Sequence, residues 1–255
     1  MKTLIINAHP DPHAAEAATN RMVRHLVGRL PAGSTEIVNL AEAEIQPLDK
    51  DMLDAIVHTV FQRQQPDSGQ RALLARSGEV IAQVKSAPRL VIAYPMYNFG
   101  IPARLKDWLD NIVMPGQTFQ YDESGTPKGL MGTHKALLLQ ASGSVYSTGP
   151  MAQLEFGVSY LQALLGGFLG FASVDAVRAE GTAQAAGQAC SDGVVQLQAL
   201  AEARAKEAAQ ARREAQARAR QHAARADAVA IYAYGAAADV WWRGLQNKVA
   251  RLRNL

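Results

Sequence analysis

Five short stretches that read as strand, separated by stretches that read as helix, restrict this chain to one kind of architecture. They are Thr3–Asn7 (TLIIN), Thr35–Leu40, Arg89–Tyr94 (RLVIAY), Lys135–Gln140 (KALLLQ) and 171–178. A continuous apolar run with polar ends predicts a strand buried on both faces. Between them, Ala14–Leu30, 49–66, Gln70–Lys85, Ile101–Ile112 and 151–165 read as helices. Pro102 is tolerated in a first helical turn because its missing N–H is not needed there. Alternating strands and helices predict an α/β fold, a five-stranded parallel sheet covered by helices on both faces. No internal repeat is present.

The chain divides by composition into a body, 1–199, and an extension, 200–255. The extension carries eleven Lys and Arg against five Asp and Glu, leaving the body with fifteen against eighteen. The basic pI of about 9.0 is therefore a property of the extension. A body without basic excess does not suit phosphate tracking, so no nucleic-acid partner is expected. From Val194 to Tyr234 there is no Gly or Pro, and fourteen of residues 201–230 are Ala, which predicts a long solvated helix. Trp241, Leu245, Val249 and Leu252 then recur at helical spacing. Packing on a partner subunit, docking of another protein, weak membrane-surface attachment through Trp241 and Trp242, and cover for the ligand cleft are the readings open for it. No apolar run is long enough for a spanning helix, the N-terminus lacks a signal-peptide cleavage region, and the single Cys190 permits no internal disulfide. A reducing, cytoplasmic setting is expected.

Ligands of an open parallel sheet bind at the carboxyl ends of the strands, where strand order reverses. The loops leaving such ends are Ala8–Ala17, Pro95–Gly100 and Ala141–Gly149. In the second, the rings of Tyr97 and Phe99 can lie against a flat ring system, the Asn98 amide can bond a heterocycle edge, and Gly100 permits close approach. A plain strand-to-helix turn with aromatics in the core fits the same residues.

The stretch PMYNFGIPARLKDWLD resembles the flavin-binding signature of the FMN-dependent NADH azoreductases and related NAD(P)H:quinone oxidoreductases. TFQYDESGTPKGLMGTHKALLL and YLQALLGGFLGF followed by AEG are similar to later segments of that family, so the resemblance covers roughly residues 1–195. It implies a flavodoxin-like, doubly wound fold and a homodimer with two active sites at the interface. It also implies FMN as cofactor and NADH or NADPH as co-substrate. Pro95, Met96, Tyr97, Asn98 and Phe99 would line the isoalloxazine, and Ser142, Gly143 and Ser144 would wrap its pyrimidine side. His9, Ala15 and Ala17 would fall in the phosphate loop, and Phe119 would approach the flavin from the interface. Tyr97, Asn98 and Phe119 would position rings while the flavin carries hydride to a small planar quinone, azo or nitro compound.

Two departures accompany the resemblance. The family's Ser-x-Ser phosphate loop reads Ala15-Glu16-Ala17 here, and its Ser-Arg-Gly-Gly loop reads Ala141-Ser142-Gly143-Ser144. Glu16 either repels a phosphate or caps the first helical turn, with His9, His13 or Thr19 supplying donors. The Cβ of Ser144 matters if the backbone there needs positive φ. If flavin is absent, His9, His13, Glu16 and Tyr146 form an alternative cleft for acid–base chemistry or for binding a planar molecule. His9, Asp11 and His13 do not match a recognised metal-ligand spacing, and no metal is expected.

Overall fold

The computed structural model describes residues 1–183, then positions 192–193, 195–196, 199–200, 202–203, 206–207 and 209–221. The described positions from 192 onward are helical. The chain divides into two units, Met1–Gln198 and Ala199–Leu255. Cys190 and the apolar spacing of Trp241, Trp242, Leu245, Val249 and Leu252 lie outside the described residues, as do most of the readings offered for the extension.

In chain order the elements are β1 (Thr3–Asn7), α1 (Ala18–Val27), β2 (Thr35–Asn39), α2 (Lys50–Ile56), α3 (Ser68–Ser86), β3 (Arg89–Pro95) and α4 (Ala103–Ile112). There follow β4 (Phe119–Tyr121), β5 (Pro127–Gly129), β6 (Lys135–Ala141), α5 (Gly157–Leu161) and β7 (Ser173–Ala179). The main sheet has the order β2-β1-β3-β6-β7, and all its pairings are parallel. β1 runs to one side into β2 and the chain then crosses to β3 on the other, so strand order reverses between β1 and β3. This is the doubly wound, flavodoxin-like fold.

The apolar runs behave as their composition dictates. Every residue of β1 is buried, as are Leu90–Tyr94 of β3. Leu4 and Ile6 of β1 and Leu90, Ile92 and Tyr94 of β3 share one core with Leu105, Trp108, Leu109, Leu138 and Leu161. Burial of each such side chain contributes roughly 1.5–3 kcal/mol before chain entropy is subtracted. Helix starts follow local capping. Asp49 accepts from the Met52 N–H at 2.9 Å ahead of α2. Asp67 and Gln70 form a reciprocal capping box at α3.

Several boundaries differ from the sequence expectation. Helix α1 begins at Ala18 rather than Ala14, because turns closed by Ala14 N–H to Asp11 O and Ala17 N–H to Ala14 O occupy the preceding residues. Helix α4 begins at Ala103, with Pro102 just outside it in extended backbone. The helix expected over 49–66 is α-helical only to Ile56 and widens into a π turn at Val57–Phe61. The one expected over 151–165 is broken, and α5 runs on into a π turn at Gln162–Phe168.

The β4–β5 hairpin, which the sequence reading left without structure, turns at Gly125, φ +79°. Its end crosses the chain after that last π turn so closely that a Cβ on Gly129 would sit 2.2 Å from the Leu169 carbonyl carbon.

Candidate active site

Loops from adjacent strands converge at the carboxyl edge of the sheet. Pro95, the last residue of β3, pairs with Ala141, the last of β6. Beyond it the Met96 N–H donates to the Ala141 carbonyl at 2.7 Å. The chain then folds into a two-residue turn, with Tyr97 N–H to Gly100 O at 3.1 Å and Gly100 N–H to Tyr97 O at 3.0 Å. Its central residues, Asn98 (φ 47°) and Phe99 (φ 68°), are both left-handed, the pattern of a type I′ turn. Asn tolerates this backbone, but a bulky residue such as Phe is strained there by about 1–3 kcal/mol. The sequence reading gave Gly100 the role of permitting close approach; the positive φ falls on residues 98 and 99, and a Cβ on Gly100 would meet nothing within 4 Å.

The opposite wall is the segment after β6, stitched to the segment after β7. Ser142 is buried, and its carbonyl accepts from both the N–H and the hydroxyl of Thr182, each at 3.0 Å. Ala183 N–H donates to Gly143 O at 3.2 Å. The Glu180 carboxylate accepts the N–H groups of Tyr146 and Ser147 at 2.7 and 2.8 Å. Among the described residues, non-glycine positive φ occurs only at Arg63, Asn98 and Phe99, so Ser144 fits this loop without backbone strain.

Between the walls lies a cleft of about 270 Å³. Met96, Asn98 and Phe99 line one side, Ser142, Gly143, Ser144 and Tyr146 the other, and Ala183 completes it. The N–H groups of Asn98, Phe99, Gly143 and Ser144 make no bond to a described residue, which leaves them as donors. Near the base of these loops is a buried polar cluster. Gln140 Nε2 donates to Tyr94 Oη at 3.3 Å and to Glu155 Oε1 at 2.8 Å. Burial, reinforced by the negative charge of Glu155, pushes the Tyr94 hydroxyl far above the ordinary phenol range, so it stays protonated.

The loop after β1 is organised by Asn20, whose side-chain N–H₂ donates to Asp11 O and Ala14 O at 2.9 Å each. His9 Nδ1 lies 2.6 Å from Asp11 O. His13 Nε2 lies 2.8 Å from Glu42 Oε1. The hydrogen bonds that Glu42 receives from Asn39 and His13 hold its carboxyl below the usual range. Ala17 is the N-cap of α1 and offers no side-chain acceptor. The first-turn N–H groups are therefore uncapped. In that turn Thr19 is buried, and its hydroxyl has no partner among the described residues. Uncapped amides at a helix start attract anions.

The family model of the flavodoxin-like fold group Flavodoxin_2 matches residues 1–201. The chain belongs to this family. It is 36% identical over 188 residues to a Bacillus cereus FMN-dependent NADH:quinone oxidoreductase 1, covering 71% of this chain and 87% of that protein. A Dechloromonas aromatica FMN-dependent NADH:quinone oxidoreductase is 36% identical over 205 residues, covering 78% and 99%. Among solved structures, an FMN-dependent NADH-azoreductase from Bacillus anthracis in complex with FMN superposes with a TM-score of 0.71 at 31% identity. The match covers 79% of this chain and 97% of that one.

Within this family member, the residues expected at the ring site are brought together, and those expected elsewhere are not. Met96, Asn98, Phe99, Ser142, Gly143 and Ser144 share the cleft, with Pro95 and Tyr97 flanking them in the chain. Phe119 is buried in the core, 4.7 Å centroid to centroid from Phe168, and does not line the cleft. The alternative constellation is split. Tyr146 lines the cleft, whereas His9, His13 and Glu16 belong to the β1 loop. Glu16 is exposed and caps nothing, because α1 starts two residues later. No group of three His, Cys, Asp or Glu among the described residues is placed to hold a metal ion. Sequence reasoning missed Glu155, Glu180 and Ala183. Only Glu180 carried a signal, as the centre of the AEG tripeptide.

Proposed function

We propose that this protein is an FMN-dependent NADH oxidoreductase that reduces quinones or azo compounds. The observation that carries the reading is the cleft at the carboxyl edge of the sheet, walled by the aromatic turn after β3 and by the loop after β6, whose Gly143 and Ser144 N–H groups bond to no described residue. Its kinship with FMN-dependent reductases gives that cleft its most economical ligand. The residues present fit the cofactor at both ends. The uncapped first turn of α1, with the orphaned Thr19 hydroxyl, supplies donors for a phosphate in place of the missing serines. The free amides of the two cleft walls supply donors for the polar edge of a flat heterocycle.

Bound FMN supplies a two-electron carrier that takes hydride from NADH and delivers it to the acceptor. The chain's own residues bind and orient. Met96, Tyr97 and Phe99 give the ring an apolar flank. The N–H groups of Asn98, Gly143 and Ser144 stabilise negative charge on its polar edge without reorganising. Tyr146 and Phe99 frame the mouth used in turn by the nicotinamide and by a planar acceptor. No side chain need act as a nucleophile.

Tyr97, Phe99, Val145 and Phe156 leave large apolar surfaces exposed. Such a concentration near a cleft suits cover by a second copy, so the working unit in this reading is a homodimer. A reducing cytoplasm suits an NADH-linked enzyme with one cysteine.

The test is an absorbance spectrum of the purified protein followed by FMN titration. Bound yellow flavin that NADH bleaches, and that a quinone restores, is the expected result. A colourless protein that ignores added FMN would overturn the reading.

A further inference from the structure

We propose that Glu155 is a positioning residue for the cleft: its buried carboxylate fixes the segment whose Phe156 N–H holds the left-handed Asn98–Phe99 turn. The importance of that turn for catalysis rests on the reductase reading above, but the holding itself does not.

The Glu155 side chain is only 8% exposed, and no step of the proposed chemistry uses it. A buried carboxylate persists where donors surround it. Here they come from three elements. Gln140 Nε2 of β6 donates to Oε1 at 2.8 Å. The Val158 N–H of α5 donates to the same oxygen at 2.8 Å, and the Ser159 N–H to Oε2 at 3.3 Å. Arg178 of β7 places Nη2 3.7 Å from Oε2. An acceptor-only group suits this set, since every neighbour within bonding distance is a donor.

The next residue in the chain carries the effect to the cleft. Phe156 N–H donates to the Phe99 carbonyl at 3.1 Å. The other two backbone bonds of the turn, between Tyr97 and Gly100, are internal to it. A left-handed Phe is kept only where its surroundings over-determine it, and the Phe156 bond supplies that external hold. The space is closed as well: a Cβ on Gly157 would lie 3.0 Å from Gln140 Nε2 and 3.1 Å from Tyr94 Oη, so the segment has little freedom to reseat.

The experiment is amide hydrogen exchange on the flavin-free, full-length protein, with FMN titration as a second arm. Glu155→Gln places an NH₂ group among donors. It should speed exchange of the Gly100 and Phe156 amides about tenfold while β1 amides stay unchanged, and weaken FMN binding about tenfold. Gln140→Leu, which removes only the strand-side anchor, should loosen the same amides and serves if Glu155→Gln does not fold. Unchanged Gly100 exchange in these single variants, or acceleration spread evenly over the core, overturns the proposal. Because exchange is read without flavin, its outcome is separate from whether FMN binds.

Discussion

The ring of Tyr146 stands edge-on to the ring of Phe99, with centroids 6.2 Å apart and planes at 68°. One ring is carried by the loop after β6 and the other by the strained turn after β3, so the contact joins the two walls of the cleft. Edge-to-face pairs of this kind contribute about 0.5–1.5 kcal/mol. The position of Tyr146 is in turn set by its N–H bond to Glu180.

Phe99→Gly should separate stability from function. Glycine adopts φ of 68° without the penalty that Phe carries, which returns about 1–3 kcal/mol. Losing the ring pair and adding chain entropy each take back part of that. The expected net is a stability gain of up to about 1 kcal/mol by urea unfolding, together with weaker FMN binding. A loss of 2 kcal/mol or more would show that the ring holds the loops more than the turn strains them.

Thr19→Val removes a buried hydroxyl that has no partner among the described residues. Flavin-free stability should be unchanged or slightly improved, since no bond is broken and a polar group leaves the interior. FMN binding should weaken by about 1.5–3 kcal/mol, the range for a hydrogen bond to a charged group. Calorimetric titration checks it. Equal affinity in the two proteins would mean the phosphate is held by backbone alone.

Gly129→Ala forces a methyl to within 2.2 Å of the Leu169 backbone. Neither chain can yield by rotating a side chain, so the cost should reach about 3 kcal/mol, the upper end for overpacking. Thermal unfolding measures it, and a loss under 1 kcal/mol would show that the hairpin shifts freely.

Glu36 on β2 is held by Lys2 at 2.6 Å and by Gln83. The hydrogen bonds from Lys2 and Gln83 set its carboxyl below the ordinary value of 4.5. A depressed folded-state pKa contributes stability above the unfolded pKa, and that contribution is lost as pH falls through the folded one. Glu36→Gln should therefore be less stable than the parent at pH 7, by no more than a surface pair's ~1 kcal/mol. The two melting curves should converge as pH falls through the folded-state pKa, below the ordinary value of 4.5. A gap independent of pH would assign the effect to packing.

A chain ending at residue 201, where the family match stops, should fold, because it keeps Gly193 against Met22 and the bond from Arg178 N–H to Gln196. Its melting temperature and FMN affinity should match the full chain within about 2 °C, under 1 kcal/mol for a domain of this size, and about twofold. An insoluble product would make the extension part of the body.

Strands β1 and β3 were legible because a strand buried on both faces must be apolar along its whole length, as TLIIN and RLVIAY are. The start of α1 was not. Ala14–Ala18 has high helix propensity, but Asn20 ties the carbonyls of Asp11 and Ala14 into turns, a tertiary bond that propensity does not contain. The ring site was legible from PMYNFG through resemblance. Its backbone strain was not, because glycine is where left-handed φ is sought, and here Phe99 carries it. Phe119 was assigned to the flavin by resemblance alone, and within one chain it packs on Phe168. Glu155 was hidden because a single carboxylate in a helical stretch looks solvated until three elements are seen to close on it.

The closing of the cleft by Thr182 and Ala183 sets a timetable for the protein. The turn after β3 and the loop after β6 are synthesised well before the segment that anchors the latter, and β7 must first add to the sheet's edge. At ~5–20 residues per second, ligand competence arrives roughly 10–40 s after initiation, as nearly the last event in making the body. A nascent chain stalled before residue 180 would hold most of the core and both facing walls, but not the Thr182 and Ala183 bonds that anchor the loop after β6. The cofactor would then act as an inspector of completed molecules rather than as a template for incomplete ones.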